Sequence, residues 1–269
     1  MGTALVRVCA AGLTLGVSVI LAACGADGLP PTSSVSKDGA AAGGAYPSVA
    51  SESKDETPNP FGDPASKAAG GREVIEKPTI ADIMAPSPLP EMSWGRTDAP
   101  VTIIEYASLT CPHCRNFHLT TYPELKRTYI DTGKVRYILR EFPIGKTSGM
   151  ATIALRCASP EKYLSLFDKY MNQQATWVSQ EVRRDPIFAV AQQVGMTRAQ
   201  FDSCAENQGM IENLKWVKER GRKLGIVGTP NFFVGDQLVK KELSMADIRA
   251  LVEPRLSGAV PTAAAATPQ

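Results

Sequence analysis

Two cysteines separated by a proline and a histidine lie in the decapeptide LTCPHCRNFH, residues 109–118. Such a pair can exchange disulfides with other thiols, bind a metal or form a short structural disulfide. A zinc site needs four ligands, and this stretch offers only Cys111, Cys114 and His118 close together. A structural disulfide over so short a loop would add little stability. Redox chemistry is therefore the leading interpretation.

The two cysteines are expected to differ in acidity. Cys111 is predicted at the start of a helix, where unpaired backbone N–H groups and the helix dipole stabilise a thiolate. Pro112 suits the first helical turn, because its missing N–H costs nothing there. His113 adds hydrogen-bond donors or positive charge in the same turn. Cys111 is therefore predicted to be the attacking thiol, and Cys114, one turn further along, a buried resolving thiol.

The segments around this motif predict a strand, a loop, a helix and a second strand. Residues 101–107 (VTIIEYA) are β-branched and mostly apolar, which is typical of a buried strand. Residues 111–133 have helical spacing and end at a glycine, and residues 134–143 are again strand-like. The economical interpretation is a βαβ unit with a right-handed crossover.

Beyond the second strand, residues 147–224 predict four or five helical segments separated by proline, glycine or polar turns. A hairpin is predicted around Gly235-Asp236. The last helix is predicted to begin after Ser244, with Asp247 three residues on in a capping pattern.

This order of elements, with Cys-Pro-His-Cys at the first strand-to-helix junction, resembles the DsbA family of bacterial envelope thiol-disulfide oxidoreductases. The resemblance covers roughly residues 90–255 and also rests on Glu105 in the preceding strand and on Gly-Thr-Pro at 228–230. It implies an α/β, thioredoxin-like fold with an inserted all-helical domain. The folded domain is predicted at 79–256 and the helical insertion at about 146–224.

The resemblance also implies roles for residues near the cysteine pair. A buried Glu105 would accept or relay the proton of Cys114. Thr229 and Pro230 would form a cis peptide bond facing the pair, where Thr229 offers its backbone N–H and C=O groups to an extended substrate segment. We expect His118 to be a packed or solvent-bonded side chain rather than a catalyst.

A structural role for Glu105 is the alternative. Arg136 or Arg140 on the neighbouring predicted strand could pair with its carboxylate, because an ionised group in a buried strand is costly unless it is paired.

Cys157 and Cys204 both lie in the helical insertion, 47 residues apart. Some members of the DsbA family carry an extra disulfide in this domain, so we predict a structural disulfide between them. Free buried cysteines are the alternative.

The first residues resemble a lipoprotein export signal. Residues 1–23 hold one early arginine and a short apolar stretch, and Leu21-Ala22-Ala23-Cys24 is similar to a lipobox. We predict that cleavage leaves Cys24 as a lipidated N-terminus, with a conventional signal peptide as the alternative. Residues 24–78 are rich in Ala, Gly, Ser and Pro and are predicted to be a disordered tether, and 257–269 a disordered tail.

Composition and family resemblance together indicate the function. The net charge of +2 comes from 29 basic and 27 acidic residues without a long basic run, which does not favour nucleic acid as a partner. The leading hypothesis is an oxidase of reduced, unfolded exported proteins on the periplasmic side of a bacterial envelope, tethered by lipid. The family implies a quinone-linked membrane reoxidase similar to DsbB, and the mechanism uses no cofactor and no metal.

Two other functions remain open. One is a disulfide isomerase or reductase, which usually works as an oligomer, although residues 25–71 are too poor in apolar side chains to form an oligomerisation segment. The other is a lipid-tethered metal-handling module that uses the thiols as soft ligands.

Overall fold

The computed structural model describes residues 60–62 and 73–258. The predicted signal peptide, Cys24, most of the tether and nearly all of the tail lie outside the described residues. Within the described ranges, no helix is long and apolar enough to cross a membrane.

A mixed sheet forms the centre of the described domain. It contains five strands among the residues that the structure describes, in the order β1-β3-β2-β4-β5. β2 and β3 run parallel, and the other neighbouring pairs are antiparallel. The strands are β1 (Met92–Trp94), β2 (Val101–Ala107), β3 (Val135–Glu141), β4 (Asn231–Val234) and β5 (Gln237–Val239). The predicted pair of parallel strands at 101–107 and 134–143 is confirmed within two residues at each end.

β2 is buried on both faces, and its successive side chains pack alternately into two apolar clusters. Ile103 and Ala107 join the larger apolar core, whereas Ile104 and Tyr106 join a second apolar cluster on the other face. Because successive side chains in a strand point to opposite faces, Glu105 lies on the face of the larger core.

Ten α-helices surround the sheet in the described part of the chain. They are α1 (Ile80–Ile83), α2 (Pro112–Thr120), α3 (Tyr122–Leu125), α4 (Gly145–Cys157), α5 (Pro160–Asn172), α6 (Gln174–Trp177), α7 (Arg184–Gln192), α8 (Arg198–Ala205), α9 (Gln208–Lys223) and α10 (Met245–Leu256). The single helix predicted over 111–133 is in fact α2, α3 and a π-helical turn at Lys126–Ile130. Pro123 near the start of α3 lacks the N–H that would continue the α2 ladder.

The helical insertion is larger than the four or five segments predicted. Six helices, α4 to α9, lie between β3 and β4. The extra one is the short α6, where the indole of the buried Trp177 donates to the carbonyl of Tyr170 at 2.9 Å. α9 also packs on the sheet: a Cβ added at Gly221 would lie 2.8 Å from the ring of Tyr106. The insertion and the sheet therefore share one buried interior.

The last two strands and the last helix are confirmed. Gly235 begins the turn between β4 and β5 with a φ of +61°, a conformation that favours glycine. Ser244 caps α10 by accepting from the Asp247 backbone N–H at 3.1 Å, and the Asp247 carboxylate accepts from the Ser244 N–H in return.

The folded domain begins earlier than the predicted boundary at residue 79. Phe61 is only 2% exposed, and its carbonyl accepts from the Lys218 ammonium at 2.6 Å. The Ile75 N–H donates to the carbonyl of Lys223 at 2.8 Å. The predicted tether over 24–78 is therefore wrong at these positions, because an apolar ring and a backbone group already bind to α9.

Candidate functional site

The cysteine pair lies at the start of α2. Cys111 is the N-cap residue, Pro112 is the first helical residue, and the Cys111 Sγ accepts from the Cys114 N–H at 3.5 Å. Cys111 is partly exposed and Cys114 is fully buried, and both are free thiols. The geometry therefore gives one accessible sulfur and one enclosed sulfur within a single helical turn.

The two thiols titrate in opposite directions. Hydrogen bonding from Cys114 lowers the pKa of Cys111 to about 5, with smaller effects from Thr229 and from the backbone N–H of His113. Burial raises the pKa of Cys114 well above its ordinary value, and the nearby Cys111 and Glu105 raise it further. At neutral pH, Cys111 is consequently a thiolate and Cys114 a protonated thiol.

The loop before β4 completes the exposed side of the pair. The peptide bond between Thr229 and Pro230 is cis. The Cys111 Sγ lies 3.1 Å from the Thr229 carbonyl oxygen, to which it donates in its thiol form, so the two segments meet although 118 residues separate them. Val227, just before this loop, is 78% exposed. The accessible sulfur therefore lies against the backbone of the cis-proline loop, in a segment that also exposes an apolar side chain.

Glu105 lies on the buried side and is 0% exposed. Its Oε2 lies 2.7 Å from the Nε2 of His118 and also accepts from the hydroxyl of Tyr137. Its charge is one of the causes that raise the pKa of Cys114. The structure therefore brings Glu105 into electrostatic reach of the buried thiol and gives it two partners.

The arginine alternative for Glu105 is wrong. Arg136 pairs with Glu91, and Arg140 donates to the carbonyl of Ile83 at 2.7 Å and to the hydroxyl of Tyr106 at 3.0 Å. In the parallel register Glu105 lies opposite Leu139, so both arginines point to the other face of the sheet.

His113 lies in the first turn of α2, as expected, but its ring is exposed. Its side chain is 72% exposed, and its Nδ1 lies 3.0 Å from the Oε2 of Glu242. The Nδ2 of Asn116 donates to the other oxygen of Glu242. The ring is thus directed toward the segment before α10, and the backbone N–H of His113 contributes to the low pKa of Cys111.

Several residues around the pair were not identified from the sequence. Gln174 in α6 donates to the carbonyls of Leu109 at 2.8 Å and of Cys111 at 3.0 Å. Nothing in the sequence marks Gln174, since its role depends on how the insertion folds back over the loop. Tyr137 had a usable signal: its β-strand alternation places it on the same face as Glu105.

Cys157 and Cys204 are joined by a disulfide that links α4 to α8, apart from the α2 pair. Across residues 60–62 and 73–258, no three His, Cys, Asp or Glu side chains are grouped so that they could hold a metal ion.

Comparison with known proteins identifies the family of this chain. A family model described as thioredoxin matches residues 88–254. The chain belongs to this thioredoxin family. Among relatives, a protein of Rickettsia bellii named provisionally as a protein-disulfide oxidoreductase is 31% identical over 169 residues, 60% of this chain and 64% of its own length. Disulfide bond formation protein D of Bacillus subtilis is 25% identical over 61% of this chain and 76% of its own length.

Solved structures that are similar to this chain include DsbA proteins. Alpha-DsbA1 of Wolbachia pipientis has 26% identity and a TM-score of 0.60, covering 68% of this chain and 100% of that one. BdbD of Bacillus subtilis has 21% identity and a TM-score of 0.59, covering 70% and 100%. The predicted thioredoxin-like fold with inserted helices is therefore confirmed. The chain spans about half to two thirds of the length of the rickettsial relatives.

Proposed function

We propose that this protein is a thiol-disulfide oxidoreductase that introduces disulfides into reduced, unfolded exported proteins. The observation that carries the proposal is Cys111: a partly exposed sulfur at a helix start, with a pKa of about 5, beside a buried thiol. A stable thiolate favours the reduced protein, which makes the disulfide form a strong oxidant. The names of the rickettsial and Bacillus relatives agree with this chemistry.

The proposed reaction begins with the oxidised Cys111–Cys114 pair. A substrate thiolate attacks Cys111, the bond between the two cysteines breaks, and the Cys114 sulfur takes a proton as it leaves. A second substrate thiolate then attacks the substrate sulfur of the mixed disulfide and releases Cys111 as a thiolate. The substrate is oxidised by two electrons and the enzyme is reduced by two. The acidity of Cys111 makes it a good leaving group in the second step.

The residues around the pair have separate proposed roles. The backbone of Thr229, before Pro230, holds an extended substrate segment by strand addition, next to the exposed Val227. Glu105 exchanges the proton of Cys114, because the buried sulfur has no direct access to water. His113 stabilises the thiolate of Cys111. Cys157 and Cys204 hold the helical insertion together.

The protein is also proposed to be returned to its oxidised form by a quinone-linked membrane partner similar to DsbB. Lipidation at Cys24, after removal of residues 1–23, would tether it on the periplasmic side of the envelope. Mass spectrometry of the mature N-terminus tests the anchor: a diacylglyceryl cysteine is expected, and an unmodified peptide that begins beyond Cys24 would contradict it.

The main experiment combines oxidative refolding with a redox titration. We expect the oxidised protein to refold a reduced, unfolded substrate stoichiometrically, with a reduction potential well above that of thioredoxin, about −270 mV. Reactivation of a substrate with scrambled disulfides is the comparison assay. A protein that repairs the scrambled substrate but does not oxidise the reduced one is an isomerase, and the oxidase proposal is then wrong.

A further inference from the structure

His118 is a buried histidine in the second half of α2, with only 2% of its side chain exposed. Its ring packs against the aromatic rings of Phe117, Tyr122 and Phe167, with centroids 4.6 to 5.3 Å apart. Its Nε2 lies 2.7 Å from the Oε2 of Glu105, and its Nδ1 has no hydrogen-bond partner among the described residues.

This arrangement selects a protonation state for His118. An imidazolium would leave a charged Nδ1–H without an acceptor in a buried site, which is costly. The neutral ring with its proton on Nε2 leaves only a lone pair unpaired on Nδ1. In that form His118 donates to the carboxylate of Glu105.

Tyr137 provides the second donor to the same oxygen. Its burial raises its pKa well above the ordinary value, so its hydroxyl keeps its proton and donates to Glu105 Oε2. Glu105 Oε1 is buried and has no partner within the described residues. Two neutral donors thus hold one carboxylate oxygen, while the other oxygen is left available for a proton.

We propose that His118 is a positioning residue that holds the Glu105 carboxylate through Oε2, so that Oε1 can take the proton of Cys114. The inference rests on the proposed function and deepens it. A buried carboxylate is costly unless hydrogen-bond donors hold it, so loss of the His118 donor should make Glu105 a poorer proton acceptor. His118 does not touch the sulfurs and acts only through Glu105.

The step concerns the closing of the enzyme disulfide. A mixed disulfide joins Cys111 to another thiol, and the Cys114 thiol gives its proton to Glu105 Oε1. The Cys114 thiolate attacks the Cys111 sulfur, the mixed disulfide breaks, and the other thiol leaves as a thiolate. The proton transfer moves one negative charge from carboxylate to sulfur and adds none to the interior. When the enzyme disulfide is opened by a substrate, the proton returns to Cys114.

Other titratable groups face this pair from several elements. Tyr122 in α3, Tyr163 in α5 and Tyr137 in β3 interact electrostatically with Glu105, and Asp168 in α5 lies near His118. Burial raises the pKa of each of the three tyrosines. They stay neutral at neutral pH. Asp168 is an acidic group near His118 whose pKa burial raises, so Asp168→Asn is the check on its contribution.

The experiment follows the reduced protein reacting with the aromatic disulfide 5,5′-dithiobis(2-nitrobenzoate). Attack by Cys111 releases one coloured thiolate, and attack by Cys114 on the resulting mixed disulfide releases a second. The first phase reports Cys111 alone and the second reports proton loss from Cys114. His118→Leu should slow the second phase at neutral pH about tenfold or more, the scale of one hydrogen bond to a charged group.

The pH profile separates this role from a packing role. In His118→Leu the rate of the second phase should recover as pH rises, because hydroxide can then remove the proton of Cys114 without the carboxylate, while the first phase stays unchanged. His118→Gln, which can donate, should restore most of the rate. Leu119→Ala, a change at the neighbouring partly exposed residue of α2, is the matched control. In a Glu105→Gln background, His118→Leu should add no further loss.

Three results would overturn the proposal. The rate of the second phase could depend on pH in His118→Leu as it does in the wild type, or it could fall as far in His118→Gln as in His118→Leu. It could also fall further when His118→Leu is added to Glu105→Gln. The assay does not depend on a protein substrate. The wild-type protein could fail to oxidise reduced proteins while His118→Leu still shows the predicted recovery at high pH. That result would contradict the proposed function and leave this inference standing.

Discussion

Cys111 and Cys114 lie three residues apart in the first turn of α2, whereas Cys157 and Cys204 lie 47 residues apart and join α4 to α8. Cys111 caps the N-terminus of its helix. Cys157 is the last residue of α4, and Cys204 is in the last turn of α8. The two pairs therefore lie at opposite ends of their helices.

The two ends of a helix affect the acidity of a cysteine in opposite ways. The N-terminus of a helix stabilises negative charge and the C-terminus destabilises it. A thiolate leaving group is thus favoured at Cys111 and disfavoured at Cys157 and Cys204, and exchange slows when the leaving thiol is less acidic. One pair is suited to exchange, and the other is suited to persist.

The largest expected effect comes from the α2 pair itself. Cys111→Ala should abolish disulfide exchange, because the remaining thiol is buried and has a raised pKa. Cys114→Ala should let mixed disulfides between Cys111 and client proteins accumulate. They should appear on non-reducing gels as slowly migrating species that dithiothreitol releases. Equal trapping by both variants would show that the two sulfurs are not distinguished by position.

The second prediction concerns the α4–α8 disulfide. Replacing Cys157 and Cys204 together with serine should lower the free energy of unfolding by about 3 to 4 kcal/mol, on the chain-entropy model for a loop of this size. Denaturant unfolding measures the loss. The rate of oxidative refolding catalysed by Cys111 should remain close to that of the wild type at temperatures where the variant is folded.

A loss of exchange activity in that folded variant would contradict a purely structural role for this disulfide, since it would give the second pair a part in the reaction. The single variants are less suitable controls, because each leaves one free thiol that can form unwanted disulfides.

Much of the fold could be predicted from the sequence because its signals are local. The β-branched run of β2, the helix start at Cys111 and the Ser244–Asp247 cap each depend on neighbouring residues. The break of the 111–133 helix at Pro123 also had a local signal that the helical spacing obscured. By contrast, no local signal predicts the burial of Phe61 against α4 and α9. Its ring packs so closely on Gly149 of α4 that a Cβ added there would lie 2.2 Å from it.

In the candidate site, too, features with a local signal could be predicted from the sequence and long-range contacts could not. The helix position of Cys111 indicated its acidity. Arg136 and Arg140 were wrong as candidate partners of Glu105. The two-residue alternation of a β-strand already places both on the face of the sheet opposite to Glu105. The contacts of Glu242 and Gln174 could not be predicted, because each joins segments that only the complete fold brings together.

The third prediction is a pH dependence specific to the α2 pair. The pKa of Cys111 is lowered in the folded reduced protein, so its thiolate stabilises that form. The contribution is complete above the ordinary thiol pKa and is lost as pH falls through about 5. We therefore expect the Tm of the reduced protein to exceed that of the oxidised protein at neutral pH and the difference to shrink toward pH 5.

Cys111→Ser is the control for this pH dependence, since it removes the titrating sulfur and should flatten the profile. The ultraviolet absorbance of the thiolate should rise with a midpoint near pH 5 in the wild type. A midpoint at the ordinary thiol value would contradict an activated Cys111.

The smallest expected effect is that of His113→Ser. The His113 ring is 72% exposed and directed to Glu242, and the backbone N–H that contributes to the acidity of Cys111 survives the substitution. Loss of the ring removes a hydrogen-bonding group from the first turn, so the pKa of Cys111 should rise and the disulfide should become less oxidising. Exposed charge interactions contribute about 0–1 kcal/mol, so the redox equilibrium should shift by at most about fivefold. Glu242→Gln, which keeps hydrogen-bonding groups near His113 and Asn116, should shift it less. If His113→Ser instead returns Cys111 to the acidity of an ordinary thiol, the histidine rather than the helix start sets its reactivity, and the contrast with Cys157 at the end of α4 loses its physical basis.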